Sequence, residues 1–229
     1  MTPSFFTMFW LLLRKEFLLG VRTRESLISS LFFTFLIVLI FHLGFSLDES
    51  GNVIPYLASF IWLAALFGGM LRLNQTFEPE NEGKVMDGMR QIPGIAAPFF
   101  LSKFVYNLFF IIVLMVFTGA MLVLLFNLRE PFVYFSWVAL PLFLGAVGLA
   151  CIGTVFSNMV ISHNRREIIL SVISYPILIP LIMGVLKAVV YTAGGQILGV
   201  DAAWIKILSV FDMVFLILAL GVFDFIIGE

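Results

Sequence analysis

Apolar residues run through this chain in long unbroken blocks rather than at alternating positions. Six blocks stand out: Leu27–Leu47, Ile54–Leu73, Phe99–Phe126, Val138–Ser157, Ile168–Val190 and Ile205–Ile227. About 20 apolar residues cross a bilayer as a helix, and helices are the default because lipid offers no partner to exposed backbone groups. A transmembrane barrel would alternate polarity within short segments, which these Leu, Ile and Phe blocks do not do. The predicted fold is all-α, a single polytopic membrane domain over residues 1–229 with six transmembrane helices.

Two polar stretches interrupt the pattern. The first ends the N-terminal segment. Pro3–Glu25 is too charged in its second half to span and too apolar to be a free tail. On a helical wheel Arg14, Lys15, Arg22 and Glu25 fall within an arc of roughly 100°, although Leu11 and Leu18 intrude. Residues 1–26 are therefore expected as an interfacial helix lying on a leaflet; a basic flank that only orients the chain is the plainer alternative. The second stretch is an island between Arg72 and Pro98 that carries Glu78, Glu80, Glu82, Asp87, Lys84 and Arg90. Within it Val85, Met89 and Ile92 repeat at i, i+4 and i+7, one apolar stripe of a short helix. Pro79 suits its start and Pro93-Gly94 its stop. Such a helix can pack on its own membrane domain or dock on a partner.

Composition supports the lipid setting: 62% of residues are hydrophobic and 12% charged, with 27 Phe, against roughly 25% charged in a soluble domain. A net charge of −1 without a basic tract gives no pointer to nucleic acid. Of 13 Lys and Arg residues, ten (14, 15, 22, 24, 72, 84, 90, 103, 165 and 166) fall on one side of a six-span topology. Arg129, Lys187 and Lys206 fall on the other. Basic residues concentrate in the cytoplasm, so both termini and residues 74–98 are expected there, with Asp48 and Glu49 outside. Met1–Trp10 has neither the basic start nor the cleavage site of a signal peptide.

Within the spans, Ala146, Ala150 and Thr154 recur every four residues, with Gly145, Gly153 and Ser157 nearby. Small residues at that spacing let helix backbones approach closely, here more readily inside one subunit than across a dimer seam. Pro176 and Pro180 each remove a backbone donor from the fifth span.

Catalytic signatures are missing. No G-x-x-x-x-G-K-[ST] loop occurs, so the chain cannot bind ATP through a P-loop of its own. No H-E-x-x-H or G-x-S-x-G is present either. Cys151 is the single cysteine, which gives no disulfide framework and no Cys metal site. His42, near the outer end of the first span, could in principle ligate haem, but a hydrogen-bonded structural histidine is the plainer reading. His163 reads as solvated. Asp212 and Asp224 lie toward opposite ends of the last span, about 18 Å apart along a helix. That is too far for direct proton exchange, and capping or interhelical hydrogen bonds are expected of them. Lys103, Asn107 and Asn74 are expected to snorkel or to bridge helices.

Several fragments in order resemble one family. They are the opening R-K-E with Arg22–Ser26, then Leu73-Asn74, Thr76-Phe77, Glu80, Glu82, Asp87-Gly88, Pro93 and Lys103. Gly153–Phe156, Arg166–Pro180 and Phe211–Ile226 follow. Together they resemble the B component of cytochrome c maturation (CcmB, haem exporter protein B) almost end to end. Gly20 and Asn81 depart from the family pattern, as does the lack of a basic residue soon after Pro93.

The resemblance implies the permease fold of an ABC-2-type exporter in a bacterial inner membrane. The chain would be the non-catalytic membrane subunit, with ATP hydrolysed on a separate CcmA-like ATPase. Glu78–Pro93 would be the coupling helix, docking through Glu78, Glu80, Glu82, Val85, Asp87, Met89 and Ile92. A second copy, a haem-handling CcmC-like membrane protein and, indirectly, a periplasmic haem chaperone would complete the partners. No cofactor is expected on the chain itself, and haem is its possible substrate, either exported or released on the loaded chaperone. Two other functions compete: a haem-binding membrane scaffold, which the scarcity of His disfavours, and an exporter subunit for another substrate.

Overall fold

The computed structural model describes residues 4–22, 24–44, 54–77, 80, 88–89, 91–127, 131–161, 167–193 and 203–228, excluding the side chains at 21, 22, 24, 54, 55, 131–134, 158–161, 167–175 and 224–228. The described chain is all-helical. Its seven long helices are α1 (Phe5–Arg22), α2 (Arg24–Gly44), α3 (Ile54–Asn74), α4 (Ala96–Leu125), α5 (Pro131–Ile161), α6 (Glu167–Ala193) and α7 (Ala203–Gly228). α2 to α7 each contain a stretch long and apolar enough to cross a membrane, in the six places where the sequence blocks lie. The helices outrun those blocks at several ends. The fourth block begins at Val138 but its helix begins at Pro131, because proline fits the first turn, where no amide donor is needed.

α3, α4 and α5 form the centre. α3 packs on α2, α4, α5 and α6, while α5 packs on α4, α6 and α7. The small residues of α5 make this possible, as Ala146, Ala150 and Thr154 are fully buried. Gly145 lies under the Trp62 ring and Val185; a Cβ there would approach Trp62 Cζ3 to 2.7 Å. Gly153 similarly admits Leu73. The small-residue stripe serves packing inside one subunit.

α1 departs from the expected arc. The helix ends at Arg22, and Glu25 belongs to the first turn of α2. Its inner face is Leu13, Glu16 and Gly20, spaced i, i+3, i+7 and all buried, where α1 lies along α4. Gly20 is required at that crossing, since a Cβ would stand 1.8 Å from the Tyr106 hydroxyl. Phe17 packs edge-on against Tyr106 at 5.2 Å and against Phe109 at 5.1 Å. Phe6, Trp10, Leu11 and Leu18 remain exposed on the other side.

Two sequence expectations for single residues fail. Asp212 is the tenth residue of the 21-residue apolar stretch Ala203–Phe223, in its middle rather than near an end. Its carboxyl is buried and neither oxygen has a hydrogen-bond partner among the described residues, so it neither caps nor bridges. The Asp224 side chain lies outside the described residues. The hydrogen bond expected of His42 is not found at Nδ1, which is buried without a partner among the described residues, and the ring stands edge-on to Phe126 at 4.9 Å.

Candidate functional site

The polar island is rooted in the bundle through an ionic cluster. Lys103 lies eight residues into α4, within the apolar stretch. A lone lysine at such a depth must find anions or carbonyls, and this one uses all three of its donor positions. Its Nζ donates to Glu16 Oε2 of α1 at 3.1 Å, to Glu80 Oε2 of the island at 3.0 Å and to the Thr76 carbonyl at 2.9 Å. Lys15 Nζ donates to the other Glu80 oxygen, Oε1, and lies 3.5 Å from Glu16 Oε1. Two lysines thus face two glutamates and the formal charges cancel. Such balance is what a buried cluster requires, because each ion taken from water costs several kcal/mol before its partners compensate.

The surroundings are aromatic. Lys103 Nζ sits 4.6 Å from the centre of the Phe77 ring and 5.5 Å from Phe99, close enough for cation–π attraction. Phe77 and Phe99 meet edge-on, and Phe223 of α7 packs on Phe77, Phe99 and Phe100. These rings seal the cluster on the α7 side. Lys103 and Glu80 are each only 1% exposed at the side chain, while Lys15 is 32% exposed. Burial alone would raise the Glu80 carboxyl, but Lys103 and then Lys15 outweigh it, so the group is held below its ordinary value.

A second set of polar contacts braces the same end. Asn107 of α4 accepts from Thr76 Oγ1 at 3.3 Å and donates to Thr154 Oγ1 of α5 at 2.9 Å. Ser157 of α5 donates to the Leu73 carbonyl at the end of α3. Arg72 lies over the Tyr106 and Phe110 rings. Lys103 and Asn107 are therefore bridges, and neither snorkels; Asn74 is exposed and bridges no helices among the described residues.

The sequence-predicted docking residues separate. Glu80, expected on an exposed face, is instead enclosed by Lys103 and Lys15 because the depth of Lys103 demands a carboxylate. Met89 is half-buried and packs against the core, whereas Ile92 is 40% exposed. The amides of Gln91 and Ile92 bond back to the Gly88 and Met89 carbonyls. The chain then turns at Gly94, whose φ of +72° suits glycine, as the Pro93-Gly94 stop predicted. Glu78, Glu82, Val85 and Asp87 lie outside the described residues. Sequence reasoning missed Glu16 and Lys15 as members of the cluster. The sequence signalled only that a lysine inside an apolar span needs carboxylates, not which ones.

Among the described residues no group of His, Cys, Asp and Glu side chains is placed to hold a metal ion. The cluster ties α1, Thr76 just beyond α3, Glu80 of the island and α4 to one another. Comparison with curated proteins returned no match. A family model described as CcmB protein matches residues 7–225, nearly the whole chain. By this match, and with six helices long and apolar enough to cross a membrane, the chain belongs to the CcmB family, multi-pass membrane subunits of the ABC system of cytochrome c biogenesis and haem transport.

Proposed function

We propose that this chain is a permease subunit that receives the stroke of a separate ATPase through residues 74–98 and uses it for haem export or for release of a haem-loaded periplasmic chaperone. The observation that carries the reading is the buried Lys15–Glu16–Glu80–Lys103 cluster. A loop that only linked two spans would gain little from a desolvated ionic root, whereas a loop that transmits force must not slide on the helices it drives. The cluster joins the island to α1 and α4 together, so displacement of the island moves both. Exposed Ile92 is the described apolar residue best placed to meet a partner. The outer face of α1, with Phe6, Trp10, Leu11 and Leu18, suits the interfacial zone of the inner leaflet. In this reading the island and both termini face the cytoplasm of a bacterial inner membrane, and the transporter contains two copies of the chain.

Affinity purification of the chain from native membranes tests this. An ATPase that co-purifies with a CcmC-like haem-handling protein is the expected result, and a chain that retains neither would refute it. Purified alone, the chain should show only background ATP turnover, because no phosphate-binding loop is present.

A further inference from the structure

Among the described residues, one buried carboxyl lies outside the ionic cluster. Asp212 of α7 is 6% exposed, and neither Oδ1 nor Oδ2 has a hydrogen-bond partner among the described residues. It points into α5 at Gly148. A Cβ on Gly148 would stand 2.7 Å from Asp212 Oδ1 and 2.6 Å from Leu181 Cδ1 of α6, so the missing side chain makes the space the carboxyl occupies. Glycine here lets an acid enter a helix seam that any larger residue would close.

The neighbours leave it without a counter-ion. On α5 the described titratable group is Cys151, a buried thiol one turn beyond Gly148. On α6, Lys187 is exposed and Tyr191 partly so, six and ten residues beyond Leu181. On α4, Lys103 is committed to Glu16, Glu80 and Thr76, and Tyr106 packs against α1. On α7 itself Lys206 is exposed. None forms an ion pair or hydrogen bond with Asp212 among the described residues. An isolated carboxylate in an apolar interior is strongly disfavoured, and such a group neutralises instead. The backbone around it is helical and already paired, so the neutral acid is the form that this seam can hold.

We propose that Asp212 is an intramembrane proton-binding site, seated in the gap at Gly148 and carrying its proton while α5 and α7 stay packed. Ionisation requires water or a cation to reach the carboxyl, which the closed seam prevents. Proton release is therefore tied to separation of α5 from α7, and proton uptake to their closure. The site is independent of the ATPase reading, since the isolated chain already contains it.

The test uses the full chain in lipid nanodiscs at neutral pH. Infrared spectra of the wild type and Asp212→Asn are subtracted. The expected difference is a single carbonyl band of a protonated carboxylic acid, present in the wild type, shifted in heavy water and lost in the variant. A difference that instead shows the paired stretches of an ionised carboxylate overturns the proposal. Should Asp212→Asn not accumulate, the wild type is treated with dicyclohexylcarbodiimide, a lipid-soluble reagent for protonated carboxyls, and its peptides are mapped by mass spectrometry. An adduct on Asp212 supports the site, and an unmodified Asp212 overturns it.

Discussion

Replacing Lys103 by Met tests the ionic root most directly. Methionine keeps the length and the contacts of the stem against Phe77 and Phe99 but removes the charge. Glu16 and Glu80 would then keep only Lys15, which is 3.5 Å from one oxygen of Glu16 and partly solvated. Removing one member of a buried ion group costs about 3–5 kcal/mol, since the remaining charge is left uncompensated. The Thr76 carbonyl would also lose its donor, at about 1–3 kcal/mol if it stays dry. These terms overlap, so the loss should be on the order of 4 kcal/mol. The assay is reversible unfolding in mixed micelles titrated with denaturing detergent, repeated at low and high salt. Neither condition should change the loss, because a buried cluster is little screened. Lys15→Met removes the more solvated cation and should cost less than Lys103→Met, with a stronger dependence on salt. The triple change of Lys103→Met with Glu16→Gln and Glu80→Gln should recover most of the stability, as neutral replacement of whole buried ion groups often does. A Lys103→Met chain as stable as the wild type, or a triple variant worse than the single, would refute the cluster as the structural root of the island.

Ile92→Asp should abolish ATPase co-purification while leaving the protein inserted and abundant; wild-type recovery of the ATPase would remove Ile92 from the docking face. Met89→Asp should lower both co-purification and yield, because Met89 also packs on the core; normal yield by quantitative immunoblot would contradict that packing. Gly20→Ala should destabilise by about 1–3 kcal/mol by forcing the Tyr106 ring away from α1, measured in the same unfolding assay, and Tyr106→Phe should relieve part of it. Glu80, held below its ordinary value of 4.5, contributes stability that is fully present above that value and lost as pH falls through the lower folded value; thermal melts from neutral to acid pH should show this limb, and Glu80→Gln should lack it. Cysteines introduced at Ser50 and Asn81 should label from opposite faces of intact cells, and labelling of both from outside would reverse the topology.

The six membrane helices were legible because the bilayer imposes a length and a polarity that a single sequence must satisfy by itself. The turn at Pro93-Gly94 was legible for a similar reason, since backbone geometry is local. The small-residue stripe of α5 announced close packing, but not that Trp62, Leu73 and Val185 would fill it. What tertiary structure alone decided were the partnerships between residues far apart in the chain. Glu80 reads as one more surface acid in a charged island, and becomes buried only because Lys103, 23 residues later, lies deep in α4 and needs it. Glu16 is 87 residues from the same lysine, a separation that no local pattern encodes. Asp212 shows the reverse case: its acid was plain in the sequence, but that it lacks a partner among the described residues follows only from the helices packed around it. Charge pairing depends on distance in space, and in a bundle of six spans that distance is set by helix packing rather than by position in the chain.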